Sequence, residues 1–235
     1  MYWFCFFVVL FFVYSVIGYL LEIISVSRIE KKIVISRGYL IGPYLPIFGC
    51  GAIIMISCLN QYREDYVVLF VMSLVICCLL EYLTSFVMEK IFNIRWWDYS
   101  NKKFNINGRV CLENGLLFGI GGVVIVHFFN PMLVRIILSF PKTFICFLGC
   151  IIFVVMFFDF VLSSYIIWRL KVDFHTYTEK DATAKVRQEI FASLRKYHYF
   201  HQRLFKAFPN VREYTYISKV KDLVEEAKRM YKKKK

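Results

Sequence analysis

Residues 67–89 read VVLFVMSLVICCLLEYLTSFVME and decide the fold. A helix that crosses a bilayer needs about 20 mostly apolar residues at about 1.5 Å of rise each. This stretch meets that requirement and predicts a membrane-spanning helix. Three further segments have the same character: 2–24, 143–168 and 110–129. The segment 110–129 also carries Gly115, Gly119 and Gly122 on one face, which suits close helix contact.

The overall composition supports the same class of protein. Hydrophobic residues make up 59% of the 235-residue chain and charged residues 20%. An ordinary soluble domain has roughly 45–50% apolar residues and about 25% charged residues. A single core in a chain of this length cannot hide such an excess of apolar side chains. We therefore exclude a soluble single domain, and the hydrophobicity also excludes a disordered chain.

A fifth apolar segment, residues 38–59, is interrupted by Gly38, Gly42, Pro43 and Pro46. Two prolines in one helix remove two backbone donors and introduce clashes. Within lipid, the carbonyl groups that lose their donors need partners from neighbouring helices or from water. The sequence thus predicts a kinked or partly unwound helix here, or a re-entrant segment that leads into one.

The basic residues of the loops predict the orientation of the chain. Cytoplasmic loops of membrane proteins carry an excess of Lys and Arg. The counts alternate along the chain as 4, 1, 5, 2 and 18, in residues 25–37, 60–66, 90–109, 130–142 and 169–235. This alternation predicts an all-α membrane protein with five transmembrane helices, the N-terminus outside and the C-terminus inside.

The chain divides into a transmembrane domain, 1–168, and a basic cytoplasmic tail, 169–235. Within the tail, apolar residues recur every three or four positions in 183–208 and again in 216–231, which is typical of amphipathic helices. Pro209 and Asn210 separate them, so the pattern predicts a helical hairpin. Its positive charge favours anionic lipid. We do not expect nucleic-acid binding, because no recognition motif accompanies the charge.

Five acidic residues fall inside the predicted spans, all in the cytoplasmic half. A charge inside a bilayer costs at least about 2.5 kcal/mol, so it usually has a partner or faces water. One interpretation is structural, with arginines of the inner loops pairing with the acids to fix helix registry. The other is a functional cavity for a ligand, an ion or catalysis. The acids are Glu22, Glu81, Glu89, Glu113 and Asp159, of which Glu81 and Asp159 lie deepest.

The inner loop, residues 93–109, is dense in hydrogen-bonding and aromatic side chains. It is either an interfacial aromatic belt or a lid that folds back over the acidic cavity through Asp98 and the Asn and Arg side chains. Besides the five acids, the candidate cavity residues are Arg37, Arg95, Asp98, Arg109 and Asn114. We predict no metal site, since His198 and His201 share a helix face without a third ligand, and no cofactor.

Several long blocks of this sequence resemble a known family. They are Arg37 to Gly49 (RGYLIGPYLPIFG), Leu80 to Phe92 (LEYLTSFVMEKIF), Arg95 to Ser100 (RWWDYS), Lys103 to Asn114 (KFNINGRVCLEN) and Arg203 to Asn210 (RLFKAFPN). These blocks look like those of the bacterial ABC-transporter type IV permease family. The resemblance implies a multi-pass protein of the bacterial plasma membrane, and it carries no catalytic or ligand assignment.

Three hypotheses for function follow. The first is a permease-like component in which the acids and the broken second span form a ligand path, as unwound backbone does in transporters. No G-x-x-x-x-G-K-[ST] loop is present, so such a permease requires a separate ATPase subunit. Five spans are few for a transport path, and a homodimer is expected. The alternatives are a membrane-embedded enzyme whose carboxylates act on a lipid or lipid-linked substrate, and a non-catalytic scaffold or sensor that acts through its tail.

Overall fold

The computed structural model describes residues 1–30, 38–92 and 96–178. This part contains six helices, and a two-stranded antiparallel hairpin precedes the fourth. A 3₁₀ turn, Asn60–Tyr62, follows the second helix, and a π-helical turn, Val124–Phe129, joins the fourth helix to the fifth. The elements are α1 (Tyr2–Glu30), α2 (Pro46–Leu59), α3 (Tyr66–Phe92), β1 (Asn105–Ile106), β2 (Val110–Cys111), α4 (Leu112–Val123), α5 (Asn130–Leu138) and α6 (Lys142–Thr178).

Four helices of the described part are long and apolar enough to cross a membrane, which confirms a helical membrane protein. They are Tyr2–Ser25, Tyr66–Phe92, Leu112–Leu138 and Lys142–Trp168. The predicted spans match them except at the ends. The segment predicted as 110–129 continues through the π-helical turn into α5, and α6 continues beyond Trp168 to Thr178.

The interrupted segment is helical only in its second half. Residues 38–45 form bends and irregular backbone, and α2 begins at Pro46. Proline is tolerated there because the first residues of a helix have no intrahelical acceptor for their N–H groups. The 14 residues of α2 extend about 21 Å, which is less than the hydrocarbon core of about 30 Å. The predicted interruption is thus confirmed, whereas the choice between a fifth, partly unwound crossing and a re-entrant segment stays a prediction.

Glycines allow the helices to pack closely around α3 and α1. A Cβ atom on Gly122 of α4 would lie 1.9 Å from Oγ of Ser73 on α3, and one on Gly119 would lie 2.7 Å from the Phe70 ring. On the other side, a Cβ atom on Gly149 of α6 would lie 2.6 Å from Cβ of Cys5. Close backbone approach of this kind is the usual basis of helix association in lipid.

The apolar core lies around α1, which contacts α2, α5 and α6. Its buried members are Phe6, Val9, Leu10, Tyr14, Ala52, Ile137 and Ile145. The contacts also fix the relative direction of the chain. Tyr39 packs on Phe92 at the last residue of α3, whereas Leu59 packs with Leu69 near its first. Residues 38–59 therefore run antiparallel to α3. The predicted helical hairpin of the tail lies outside the described residues.

Candidate functional site

Glu81 lies at the centre of the candidate site. Its residue is 7% exposed. Oε1 accepts a hydrogen bond of 3.1 Å from the hydroxyl of Tyr99. Oε2 is buried and, within the part of the chain that the structure describes, has no hydrogen-bond partner. The other polar groups near this carboxyl are the Asn114 amide of α4 and the Glu22 carboxyl of α1.

The sequence of α3 explains why Glu81 faces inward. Ser73, Cys77, Glu81 and Ser85 are spaced four residues apart, so they follow one side of the helix. Ser73, Glu81 and Ser85 are all buried. The glycine face of α4 packs against this same side. The acid is thus enclosed between helices and does not face lipid.

The 96–111 loop folds back over Glu81. Its backbone is closed by a hydrogen bond of 2.8 Å from the N–H of Tyr99 to the carbonyl of Gly108, and the Trp97 indole donates to the carbonyl of Arg109 at 2.9 Å. The tight turn before β2 has positive φ at Asn107 (53°) and Gly108 (67°), which Asn and Gly adopt most readily. This fold directs the Tyr99 side chain towards Glu81.

Tyr99 is a neutral hydrogen-bond donor over the ordinary pH range. Burial raises the pKa of its phenol well above the usual tyrosine value, and the neighbouring Glu81 acts in the same direction. The hydroxyl therefore keeps its proton and donates a hydrogen bond to Oε1 of Glu81.

Arg109 neutralises Glu89 and not Glu81. Its Nη1 lies 2.8 Å from Oε2 of Glu89 and also donates to Oγ of Ser85 at 3.2 Å. The guanidinium group lies over the rings of Tyr82 and Phe86, at 5.6 and 5.4 Å from their centroids. With side chains 10% and 18% exposed, the pair is largely shielded from solvent. This pair fixes the 96–111 loop to α3 two turns from Glu81.

An open groove of about 570 Å³ lies beside this ion pair. The Asn107 amide donates to the Tyr82 hydroxyl at 3.0 Å across it. Glu81 is not among the residues that line this groove. Its lining consists of Tyr82, Phe86, Ser100, Asn105, Asn107, Gly108 and Arg109.

Asp159 of α6 has a different set of partners. Its carboxylate accepts hydrogen bonds from the backbone N–H groups of Ile41 (2.9 Å) and Gly42 (2.8 Å). It also accepts from the hydroxyls of Tyr44 (2.5 Å) and Ser163 (2.9 Å). Two of these four donors are backbone N–H groups that the unwound residues 38–45 leave without helical partners. Asp159 therefore fixes the unwound segment against α6.

The remaining predicted site residues lie nearer the surface or outside the described part. Glu113, in the first turn of α4, forms an exposed ion pair of 2.7 Å with Lys102, and this hydrogen bond raises the pKa of Lys102. Asp98 accepts from the N–H and hydroxyl of Ser100 and stabilises a local turn. Arg37 and Arg95 lie outside the described residues.

The structure thus brings Glu22, Glu81 and Asn114 together and gives Glu89, Glu113 and Asp159 separate partners. Sequence reasoning missed Tyr99 and Tyr44, the two phenols that reach the deepest acids. The only sequence signal for Tyr99 was its place in an aromatic-rich loop, and for Tyr44 its place between two prolines. No group of three or more His, Cys, Asp or Glu side chains within the described residues could hold a metal ion.

The comparisons with known proteins agree with this architecture. A family model described as putative ABC-transporter type IV matches residues 9–164. No curated protein and no solved structure matches the chain. The matched range includes most of α1 to α6 and all four of Glu81, Tyr99, Arg109 and Asp159. Since it covers well over half of the sequence, this chain belongs to the putative ABC-transporter type IV family.

Proposed function

We propose that the chain is the permease-like membrane component of an ABC-type transporter in the bacterial plasma membrane. One observation carries this proposal: Glu81 is buried among the helices with one oxygen unpartnered in the described part, and a loop with a single side-chain hydrogen bond to it covers it. Polar residues inside membrane helices usually mark a pathway when no counter-charge accounts for them. Among the described residues, Arg109 pairs with Glu89 and supplies no counter-charge to Glu81.

The unwound segment supports a pathway through the bundle. In transporters, discontinuous helices present backbone groups to a ligand near the middle of the membrane. Here the N–H of Leu45 donates to the carbonyl of Ser15, halfway along α1, at 2.9 Å. Residues 38–45 and α2 then form a fifth, discontinuous crossing, helical in one half and irregular in the other.

The proposed orientation places the N-terminus outside and the 96–111 loop in the cytoplasm. Cysteine labelling tests it with Arg63→Cys and Lys102→Cys, two exposed positions on opposite sides. A membrane-impermeant maleimide reagent should label position 63 in intact cells and position 102 only after permeabilisation. Labelling of both positions from the same side contradicts five crossings.

The proposed partners are a separate ATPase subunit and a second copy of the chain. The tagged full-length chain, crosslinked and purified from its host membrane into nanodiscs, should carry an ATP-hydrolysing subunit. Glu81→Gln should alter ATP turnover by this complex at least severalfold, whereas Glu113→Gln, which removes an exposed ion pair, should not. If no ATPase accompanies the chain, the permease proposal is wrong. Head-group turnover by the chain alone would then assign the carboxylates to an enzyme.

A further inference from the structure

The surroundings of Glu81 favour a neutral carboxyl group. Four kinds of group face it: the Glu22 carboxyl from α1, the Tyr99 phenol from the loop, the Asn114 amide from α4, and the thiols of Cys77 and Cys78 from α3, with Cys111 of β2 nearby. None of these groups, all from the described part of the chain, is a cation. The hydrogen bond from Tyr99, and the polar contact with the Asn114 amide, can serve a neutral carboxyl as well as a charged one.

A bare carboxylate in this place is energetically costly. Moving an isolated ionised carboxylate out of water costs far more than moving a neutral one. Arg109 of the same loop is engaged with Glu89 at 2.8 Å. A bound metal ion would need several ligands, and no described group of acids, histidines and cysteines provides them. None of the groups in the described part neutralises Glu81, whereas a proton on the carboxyl would do so without further ligands.

We propose that Glu81 is a proton-binding site, with the proton on Oε2, and that it exchanges this proton with water on the side of the 96–111 loop when Tyr99 moves away. The step is a simple transfer of one proton between Oε2 and a water molecule. The use of this site in transport rests on the function proposed above, whereas its chemistry does not.

Tyr99 acts as the positioning residue for this proton. By donating to Oε1, it assigns the carbonyl role to that oxygen and leaves Oε2 to carry the proton. Tyr99 also covers the carboxyl from the loop side. Its N–H bonds to the carbonyl of Gly108, and the Arg109 ion pair holds this part of the loop on α3, so Tyr99 is kept in place. Opening the loop would therefore expose Glu81 and remove its hydrogen bond at the same time.

Infrared difference spectroscopy of the full-length chain in nanodiscs tests the proposal. At neutral pH, the spectrum of the wild type minus that of Glu81→Gln should contain the C=O band of a protonated carboxyl, shifted in D₂O and lost as the pH is raised. The matched control is Glu113→Gln, which removes an exposed acid paired with Lys102 and should leave the band in place. Absence of a Glu81-dependent band at neutral pH overturns the proposal, as does a band lost in Glu22→Gln but kept in Glu81→Gln.

A second variant assigns the band even if Glu81→Gln fails to fold. Tyr99→Phe removes the donor to the carbonyl oxygen, so the C=O band should move to higher frequency and exchange with D₂O more quickly. An unchanged frequency and exchange rate would overturn the role of Tyr99. The infrared measurement does not depend on transport. A Glu81 band in a chain that carries no ATPase would support the proton site and reject the permease proposal. An associated ATPase without a Glu81 band would support the permease proposal and reject the proton site.

Discussion

The Asp159 and Glu81 regions hold the same functional group in membrane helices but satisfy it very differently. Asp159 receives four hydrogen bonds, two of them from backbone N–H groups. Glu81 receives one from Tyr99, and its second oxygen is unpartnered among the described residues. A carboxylate with all its hydrogen bonds satisfied can be explained by its structural role alone, whereas a buried carboxyl with an unsatisfied oxygen needs another explanation. The set of partners therefore separates a structural acid from a functional one.

The largest effect should come from removing the acceptor at Asp159. Asp159→Ala leaves the N–H groups of Ile41 and Gly42 without their acceptor in a region with little water. Hydrogen bonds to a charged group contribute about 1.5–3 kcal/mol each and are not additive, so we expect a loss of about 4 kcal/mol. Chemical unfolding in detergent measures it.

A matched control for this variant is Asp65→Ala. Asp65 also accepts from two backbone N–H groups, those of Val67 and Val68 at the start of α3, but it is exposed to solvent. The loss of such a cap costs about 1 kcal/mol. If Asp159→Ala is no more destabilising than Asp65→Ala, Asp159 does not fix the unwound segment as described.

The next largest effect concerns the ion pair that holds the 96–111 loop on α3. Glu89→Gln removes the charge 2.8 Å from the Arg109 guanidinium. An uncompensated charge in a buried pair costs about 3–5 kcal/mol, and we expect the lower value because the pair is not fully enclosed. Combining Glu89→Gln with Arg109→Met should recover much of the loss. A double variant that is as unstable as the sum of the two single variants contradicts the pairing.

The sequence predicted the membrane helices well because their signal is local. Apolar runs of the length of 67–89 have few alternative structures, and the glycines of α4 already indicated a close contact. The prolines likewise indicated the break before α2. These features depend on composition within one segment, and the structure confirms them.

The sequence could not show which acids have structural partners and which do not, because these partners come from distant parts of the chain. Asp159 meets residues 41–44, more than 110 positions away, and Glu81 meets Tyr99 only because a turn at Gly108 folds the loop back. Similar depth in the membrane suggested one shared site for all five acids. In the described part, Glu89 and Glu113 instead pair with Arg109 and Lys102.

A smaller effect is expected from the phenol that covers Glu81. Tyr99→Phe removes one hydrogen bond to a buried carboxyl, which should lower the free energy of unfolding by about 1.5 kcal/mol. Burial raises the pKa of Tyr99, so the contribution is complete below the ordinary tyrosine pKa of about 10 and declines as the pH rises further. Unfolding curves of both forms across this range measure it. The exposed Tyr62→Phe is the control and should show no loss at any pH.

The smallest effect on stability, and the sharpest test of the comparison, belongs to Glu81→Gln. If Glu81 carries a proton, the amide is nearly its isostere, and the free energy of unfolding should change by less than about 1 kcal/mol, within the usual range of mild substitutions. Function should nevertheless be impaired, because an amide cannot ionise and so cannot release and rebind a proton as a carboxyl does.

Glu81→Leu distinguishes the two interpretations further. If Glu81 is neutral, Glu81→Leu should cost about 1.5 kcal/mol, as Tyr99→Phe does, because the same hydrogen bond is lost, and function should be impaired. If Glu81 were instead the charged half of a buried ion pair, both variants would lose about 3–5 kcal/mol by leaving the partner charge unpaired, and removal of that partner would restore stability. Restored stability with unchanged ATP turnover would place Glu81 beside Asp159 as a structural acid. A stable Glu81→Gln chain with impaired turnover is the result that we expect, because Arg109 already pairs with Glu89 and leaves Oε2 of Glu81 open.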